Sequence, residues 1–204
     1  FLLNQLKLAK TYNVEWYKWR LSNNYERAVF LKGDEIFPRE TQRYEWANSN
    51  ILGKSILEIG CSTGYGIQFL PKDIEYIGVD YDSIIVDVAQ NQNWLPNAKF
   101  EWADINNYEL GQYDTIIAFE VIEHLDNGLE IVEKLKKHCK RLLITVPYDE
   151  PKGFWGEHHK LHGLLESDFP DFKIQFINQH GYIKDHAEIH SANSCNLMIM
   201  EWNK

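Results

Sequence analysis

The sequence predicts an α/β fold in which helices cover both faces of a mostly parallel sheet. Short apolar segments alternate with helical segments from Ser55 to the end of the chain. Several apolar segments stop at a glycine or a proline, such as Gly60 and Pro147, where a strand would end. This alternation is typical of parallel strands joined by helices, and in such sheets a ligand binds beyond the carboxyl ends of the strands.

Seven strands are predicted along this part of the chain. In chain order they cover 55–60, 76–80, 99–104, 113–121, 141–146, 172–178 and 196–202. Helices are predicted over 65–70, from Ser83 onwards and over 128–138. The Ser83 hydroxyl is suited to cap the second helix. In the third helix, Leu129, Val132 and Leu135 share one face, which predicts that this face packs on the sheet.

The amino-terminal part differs from the rest in charge and aromatic content. Residues 1–50 hold eight Lys and Arg against six Asp and Glu, a net +2, whereas the remainder holds 13 against 24, a net −11. The same segment carries 10 of the 28 aromatic side chains. We therefore expect an aromatic-rich helical cap or lid over 1–45 and one domain over 46–204, with an insertion at about 148–170.

Composition argues against several classes of protein. The net charge of −9 lacks the basic footprint that usually accompanies nucleic-acid binding, so a nucleic-acid partner is not expected. The longest apolar run, 142–147, is far shorter than the roughly 20 residues of a membrane-spanning helix, so no membrane span is expected. Cys61, Cys139 and Cys195 are an odd number without a pairing pattern, which predicts a reduced, cytoplasmic setting.

A glycine-rich turn follows the first predicted strand. Gly60, Gly64 and Gly66 permit backbone angles that side chains disfavour, and they let a ligand approach the main chain closely. Asp80 ends the second strand, twenty residues after Gly60, the separation at which a carboxylate can accept hydrogen bonds from both hydroxyls of a ribose. The two features together favour a nucleoside-type ligand over a purely structural turn.

The order of motifs resembles that of the class I S-adenosylmethionine-dependent methyltransferases. Residues 57–64 are similar to the first motif of that family, with Ser62 at the usual position of the middle glycine. Residues 78–80 match the ribose-binding motif, 103–105 the adenine-binding motif, and 119–125 and 142–147 two later strand ends. The resemblance covers about 40–204 and implies a Rossmann-like, seven-stranded, mostly parallel sheet whose last strand is antiparallel.

The same resemblance implies the cofactor and the residues that bind it. The cofactor would be S-adenosyl-L-methionine, and the product S-adenosyl-L-homocysteine. Asp104 would accept a hydrogen bond from the exocyclic amine of the adenine, and Ile105 would cover a face of the ring. The cofactor-binding residues that the resemblance implies are Glu58, Gly60, Cys61, Ser62, Thr63, Gly64, Asp80, Tyr81, Ala103, Asp104, Ile105, Phe119 and Glu120.

The implied reaction is methyl transfer to an oxygen or nitrogen of a small-molecule or sugar or glycan acceptor. The stretch 32–38, followed by Arg43 and Tyr44, is similar to the lead-in of bacterial methyltransferases that act on sugars and surface glycans. An acceptor hydroxyl or ammonium must also lose a proton, which histidine is suited to accept near neutral pH. The candidate catalytic residues are His124, after the fourth strand, and His158, His159 and His162, after the fifth.

Two alternatives stay open at this point. Glu120, Glu123 and His124 have the spacing of one helical turn, and with His159 they would form a mixed ligand set for a divalent ion. Their E-x-x-E-H pattern is similar to that of small-RNA terminal 2′-O-methyltransferases, which would imply metal-assisted RNA methylation; in the leading interpretation no metal is expected. The other alternative is a binding module that keeps the cofactor pocket without turnover.

Overall fold

The computed structural model describes residues 29–154, 157–188 and 196–204. Residues 1–28, most of the predicted cap, lie outside them. The strands are β1 (Ser55–Ile59), β2 (Glu75–Asp80), β3 (Ala98–Trp102), β4 (Tyr113–Phe119), β5 (Cys139–Pro147), β6 (Lys173–Ile177), β7 (Ile183–Lys184) and β8 (Leu197–Asn203). Within the described residues, the α-helices are α1 (Pro38–Asn50), α2 (Ser83–Asn91) and α3 (Gly128–Lys136). Three short 3₁₀-helices cover Tyr65–Phe69, Ile122–His124 and Glu166–Asp168.

The strands form one sheet in the order β3-β2-β1-β4-β5-β8-β6-β7. The five strands from β3 to β5 pair in parallel, whereas β8 runs antiparallel to both β5 and β6. The mostly parallel sheet and the antiparallel last strand are therefore confirmed. The sheet has one strand more than predicted, because the two-residue β7 pairs with β6 and is too short to leave an alternating pattern.

Alternate residues of the central strands enter two separate apolar clusters, one on each face of the sheet. On β1, Ile56 belongs to the cluster that includes Tyr44 of α1, and Leu57 to the cluster that includes Leu135 of α3. The side-chain period of two in a strand produces this division. Both faces of the sheet are thus covered by helices, as the sequence predicts.

Two details of the helices differ from the prediction. Asp82, not Ser83, caps α2, because its carboxylate accepts hydrogen bonds from the amides of Ile84 and Ile85. In α3, Leu129 is exposed, and Ile131 is buried beside Val132 and Leu135. At 100° per residue, Leu129 lies roughly 110° from the centre of the buried face.

The order of the strands reverses at β1. The chain runs from β1 outwards to β2 and β3, then returns to place β4 and β5 on the other side of β1. A crevice opens at the carboxyl ends of the strands wherever the order reverses in this way, and ligands bind there. No helix among the described residues has both the length and the apolar character needed to cross a membrane.

Candidate active site

A cleft of about 1780 Å³ lies at the carboxyl ends of β1, β2 and β4. It begins at the glycine turn after β1 and reaches the segments that follow β4 and β5. Nine of the thirteen residues predicted to bind a cofactor line it. They are Gly60, Ser62, Asp80, Tyr81, Ala103, Asp104, Ile105, Phe119 and Glu120.

The turn after β1 has a backbone that only a few residue types adopt readily. Gly60 has a φ of +71°, and a Cβ at this position would overlap the side chain of Val121. Ser62 also lies in the left-handed region, with a φ of +50°, a conformation that glycine adopts more readily than serine. The turn therefore combines left-handed backbone at Gly60 and at Ser62.

Asp80 is held at the base of the cleft by two backbone amides. Its side chain is only 2% exposed, and its two carboxylate oxygens accept hydrogen bonds from the amides of Ser62 at 3.0 Å and Asp82 at 3.1 Å. A carboxylate oxygen can accept more than one hydrogen bond. A carboxylate fixed in this way fits the paired hydroxyls of a ribose.

The neighbouring strand end carries the residues predicted to contact an adenine. Ile105 is buried at the cleft wall, and Asp104 is exposed, with Oδ1 accepting from the amide and the side chain of Asn106 at 2.9 Å each. Two exposed aromatic residues stand at the rim, where the indole of Trp102 donates to the carbonyl of Tyr81 at 2.9 Å. This end of the cleft combines an apolar wall with an accessible carboxylate.

Four of the predicted cofactor residues do not line the cleft: Glu58, Cys61, Thr63 and Gly64. The buried carboxylate of Glu58 accepts hydrogen bonds from the hydroxyls of Tyr44 and Tyr76, and burial raises its pKa. Thr63 donates from Oγ1 to the carbonyl of Phe30 at 2.5 Å. Cys61 is buried, and a Cβ on Gly64 would meet the ring of Phe100. These side chains support the turn from behind, and Glu58 touches the cleft through Tyr44, which does line it.

Helix α1 contributes cleft residues that sequence reasoning missed. Arg39 and Arg43, one turn apart, both line the cleft. The buried Arg43 donates from Nη2 to the hydroxyl of Tyr65, and its Nε has no hydrogen-bond partner among the described residues. The available signal was the pair of arginines on one side of a helix that otherwise buries Tyr44 and Ala47.

At the other end of the cleft, Glu123, His124 and His159 come together, and we refer to them as the Glu–His cluster. One ligand-type atom from each lies within 4.8 Å of the others. Glu123 is 1% exposed, and neither of its carboxylate oxygens has a hydrogen-bond partner among the described residues. Burial and the negative charges of Glu120 and Glu150 raise its pKa well above the usual range. The cluster is confined to three residues from two separate segments.

Both histidines of the cluster are oriented through Nδ1. In His159, which is buried, Nδ1 lies 2.5 Å from the buried Oε2 of Glu150. In His124, Nδ1 lies 3.2 Å from the carbonyl oxygen of His158, and the two rings of the cluster meet edge to face at 4.6 Å. Glu150 has no motif around it and was not identified from the sequence.

The remaining predicted catalytic and metal residues take other positions. His158 lines the cleft with an exposed side chain, whereas His162 does not line it. Glu120 accepts a hydrogen bond from Thr145 Oγ1 at 2.9 Å and lies 3.9 Å from Arg39. The prediction that Glu120 shares a helical turn with Glu123 and His124 is wrong, because Glu120 has a φ of +54° and the 3₁₀-helix begins only at Ile122.

Comparison with known proteins gives three kinds of similarity. Residues 57–141 match a family model described as a methyltransferase domain. A malonyl-[acyl-carrier protein] O-methyltransferase from Bacillus cereus is 31% identical over 87 residues, which cover 41% of this chain. The matched part spans 32% of that relative, so the two are compared over about a third of its length.

Solved structures of methyltransferases share the fold over most of the chain. Magnesium protoporphyrin IX methyltransferase from Synechocystis PCC 6803, with bound S-adenosylhomocysteine, is 17% identical with a TM-score of 0.59, covering 97% of this chain and 98% of its own. The N-methyltransferase NodS from Bradyrhizobium japonicum WM9, in complex with the same product, is 17% identical with a TM-score of 0.62, covering 81% and 85%. The amino-terminal domain of EvdMO1, with S-adenosylhomocysteine and D-fucose, is 12% identical with a TM-score of 0.60, covering 93% and 97%.

These similarities agree with what the cleft contains. The matched family region begins in β1 and ends in β5, so it includes the glycine turn, Asp80 and Asp104. The solved structures establish the Rossmann-like fold. The region from β1 to β5 therefore resembles a methyltransferase domain, and the chain as a whole shares the Rossmann-like fold of the solved methyltransferases.

Proposed function

We propose that this chain transfers a methyl group from S-adenosylmethionine to an oxygen or nitrogen of a small-molecule or sugar acceptor. The observation that carries the proposal is that one cleft contains both the anchored carboxylate of Asp80 and, at its far end, the Glu–His cluster. The first suits a nucleoside, and the second contains groups that can take up a proton or a charge. A methyltransferase that activates its acceptor by proton removal would hold both in a single cavity.

The residues of the cleft fit each part of the cofactor. Asp80 would accept from the ribose hydroxyls, and Ile105 and Asp104 would face the adenine. The guanidinium of Arg43, with Nε without a partner among the described residues, fits the carboxylate of the methionine part. When bound, the sulfonium supplies a methyl group that is already electrophilic.

The protein then has to position the acceptor and manage its proton. Proximity and alignment in a closed site can contribute several kcal/mol to such a displacement. The Glu–His cluster is the part of the cleft that suits acceptor activation, because Glu123 is buried with no partner in the described part of the chain and Glu150 holds the ring of His159 in place. The segment after β5, which includes the insertion predicted at 148–170, would therefore form the acceptor side.

The choice of acceptor class rests on charge and on the relatives. Residues 51–204 carry a net charge of −11, which opposes the binding of RNA, so a small or sugar acceptor is favoured over an RNA terminus. The relatives include an O-methyltransferase and an N-methyltransferase, and one structure was solved with D-fucose. Residues 1–45 remain a proposed aromatic-rich cap or lid.

The test is a measurement of S-adenosylhomocysteine release with panels of sugars, small hydroxyl and amine compounds, and short RNAs. The proposal expects turnover with a member of the first two panels. Turnover with RNA alone would contradict the acceptor class. Binding of S-adenosylhomocysteine without turnover on any panel would favour the binding module.

A further inference from the structure

We infer that Glu123, His124 and His159 form a site for a first-row divalent cation that binds the methyl acceptor. The inference rests on the proposed function, since it concerns the acceptor end of the same cleft. Its first support is Glu123, whose two oxygens lie buried with no hydrogen-bond partner among the described residues. A buried carboxylate is costly unless it is protonated, paired or bound to a cation.

The geometry of the cluster suits a single small cation. The three ligand atoms all lie within 4.8 Å of one another. At that largest separation, each atom would lie about 2.8 Å from their common centre. Small rotations of the side chains would bring them to the roughly 2.1 Å at which imidazole nitrogens and carboxylate oxygens bind zinc. Backbone contacts hold the two segments together, because Lys160 and Leu161 donate their amides to the carbonyl of Glu123 at 2.7 and 3.0 Å.

The surroundings of the two histidines are those of metal ligands. A metal-binding histidine usually uses its second ring nitrogen to contact a carboxylate or a backbone carbonyl. His159 contacts the carboxylate of Glu150 in this way, and His124 contacts the carbonyl of His158. Both contacts use Nδ1, and each histidine offers one ligand nitrogen within 4.8 Å of the other ligand atoms of the cluster.

The donor set indicates the class of metal and of acceptor. Two imidazoles and one carboxylate suit zinc, manganese, iron or cobalt better than magnesium or calcium, which prefer oxygen ligands. Three protein ligands leave coordination positions open, and two adjacent oxygens of a sugar could fill them. We therefore expect an acceptor with neighbouring hydroxyl groups.

The proposed step balances with the methyl donor as its only other reactant. Coordination to the cation lowers the pKa of the acceptor hydroxyl, and its proton is released to water. The acceptor oxygen forms a bond to the methyl carbon, and the carbon–sulfur bond breaks with its electron pair going to sulfur. The products are the methyl ether and S-adenosylhomocysteine, and the cation is not consumed.

The experiment is a titration of the chelator-treated protein with Co²⁺, followed by visible absorption and by calorimetry. We expect one Co²⁺ to bind per chain, with a visible absorption band that is typical of Co²⁺ in a low-symmetry site. Glu123→Gln should weaken binding at least 100-fold, and Glu150→Gln should weaken it 10- to 100-fold, as loss of a group that orients a ligand does. The matched control is Glu109→Gln, which removes an exposed carboxylate elsewhere on the cleft and should leave Co²⁺ affinity unchanged.

Several outcomes would overturn the site. It fails if the parent binds no Co²⁺, Mn²⁺ or Zn²⁺ stoichiometrically, or if Glu123→Gln and Glu109→Gln bind equally well. Should Glu123→Gln not fold, His124→Asn, at an exposed position, answers the same question. Titration of the same samples with S-adenosylhomocysteine separates the two proposals. A protein that binds S-adenosylhomocysteine but does not bind Co²⁺ refutes the cation site and leaves the proposed function standing.

Discussion

The two ends of the cleft are built in different ways. At the cofactor end, most of the contacts involve the backbone. Two amides donate hydrogen bonds to Asp80, and the turn after β1 has left-handed backbone at Gly60 and Ser62. At the acceptor end, side chains meet side chains, and Glu150 orients His159 across a loop. Asp80 is held by Ser62, 18 residues earlier, and by Asp82, two residues later, whereas the acceptor end joins the segments after β4 and β5, as in the contact between His124 and His158, 34 residues apart. Cofactor binding and acceptor chemistry should therefore respond to different substitutions.

The largest expected effect is at the acceptor end. His159→Asn should lower turnover about 100-fold or more, the scale for loss of a group that takes part in activation of the acceptor. Affinity for S-adenosylhomocysteine should stay within about 0.5 kcal/mol of the parent, since His159 lies outside the predicted cofactor contacts. Steady-state kinetics and calorimetry measure the two quantities, and His180→Asn, at an exposed histidine that does not line the cleft, is the matched control. Equal losses of turnover and of S-adenosylhomocysteine affinity would contradict the separation of the cleft into two ends.

The sequence predicts the cofactor end of the cleft better than the acceptor end. Gly60, Asp80 and Asp104 stand at strand ends within short motifs, so their positions in the cleft follow from the order of the strands. Glu150 stands in no motif, and its role depends on a loop whose path only tertiary contacts define. Glu120 was predicted in the metal set because helical spacing was assumed, and its left-handed backbone breaks that spacing.

The fold shows the same pattern on a smaller scale. The strands with long apolar segments, β4 and β5, were predicted to within a few residues of their ends. The two-residue β7 was not, because its pairing depends on a neighbour and not on its own composition. The amino-terminal cap of α2 also differs from the prediction, because the carboxylate of Asp82 caps the helix in place of the Ser83 hydroxyl.

The second-largest effect is expected at the cofactor end of the cleft. Asp80→Ala should weaken S-adenosylhomocysteine binding by about 2 kcal/mol or more, because two charge-assisted hydrogen bonds to the ribose are lost. Calorimetric titration measures the change. Glu45→Gln, an exposed position on α1, is the control and should bind as the parent does. An Asp80→Ala variant with parental affinity would remove Asp80 from the site.

A smaller effect is expected at the adenine wall. Asp104 is exposed and already accepts two hydrogen bonds from Asn106, so Asp104→Ala should cost roughly 1 kcal/mol of S-adenosylhomocysteine affinity. The loss should be smaller for the inosine analogue of the product, which lacks the exocyclic amine. Competition binding with the two compounds measures the difference. Identical losses would make Asp104 a structural residue of the turn.

The smallest effect concerns the serine in the turn. Ser62 has a φ of +50°, a region that costs a non-glycine residue about 1 kcal/mol or more. Ser62→Gly should therefore raise the free energy of unfolding by up to about 1 kcal/mol, the cost of the left-handed backbone less the extra freedom of glycine in the unfolded chain. Urea denaturation measures the change, and Ser62→Ala, which keeps the left-handed cost, should show no gain. Loss of cofactor binding in Ser62→Gly would instead assign a role to the hydroxyl.

Calorimetric titration of S-adenosylhomocysteine into the parent and into His159→Asn tests the central claim most directly. The account predicts one molecule of product per chain, with affinities in the two proteins that agree within about 0.5 kcal/mol. Absence of binding to the parent would contradict the methyltransferase function. A large loss of affinity in His159→Asn would contradict the division of the cleft into a cofactor end and an acceptor end.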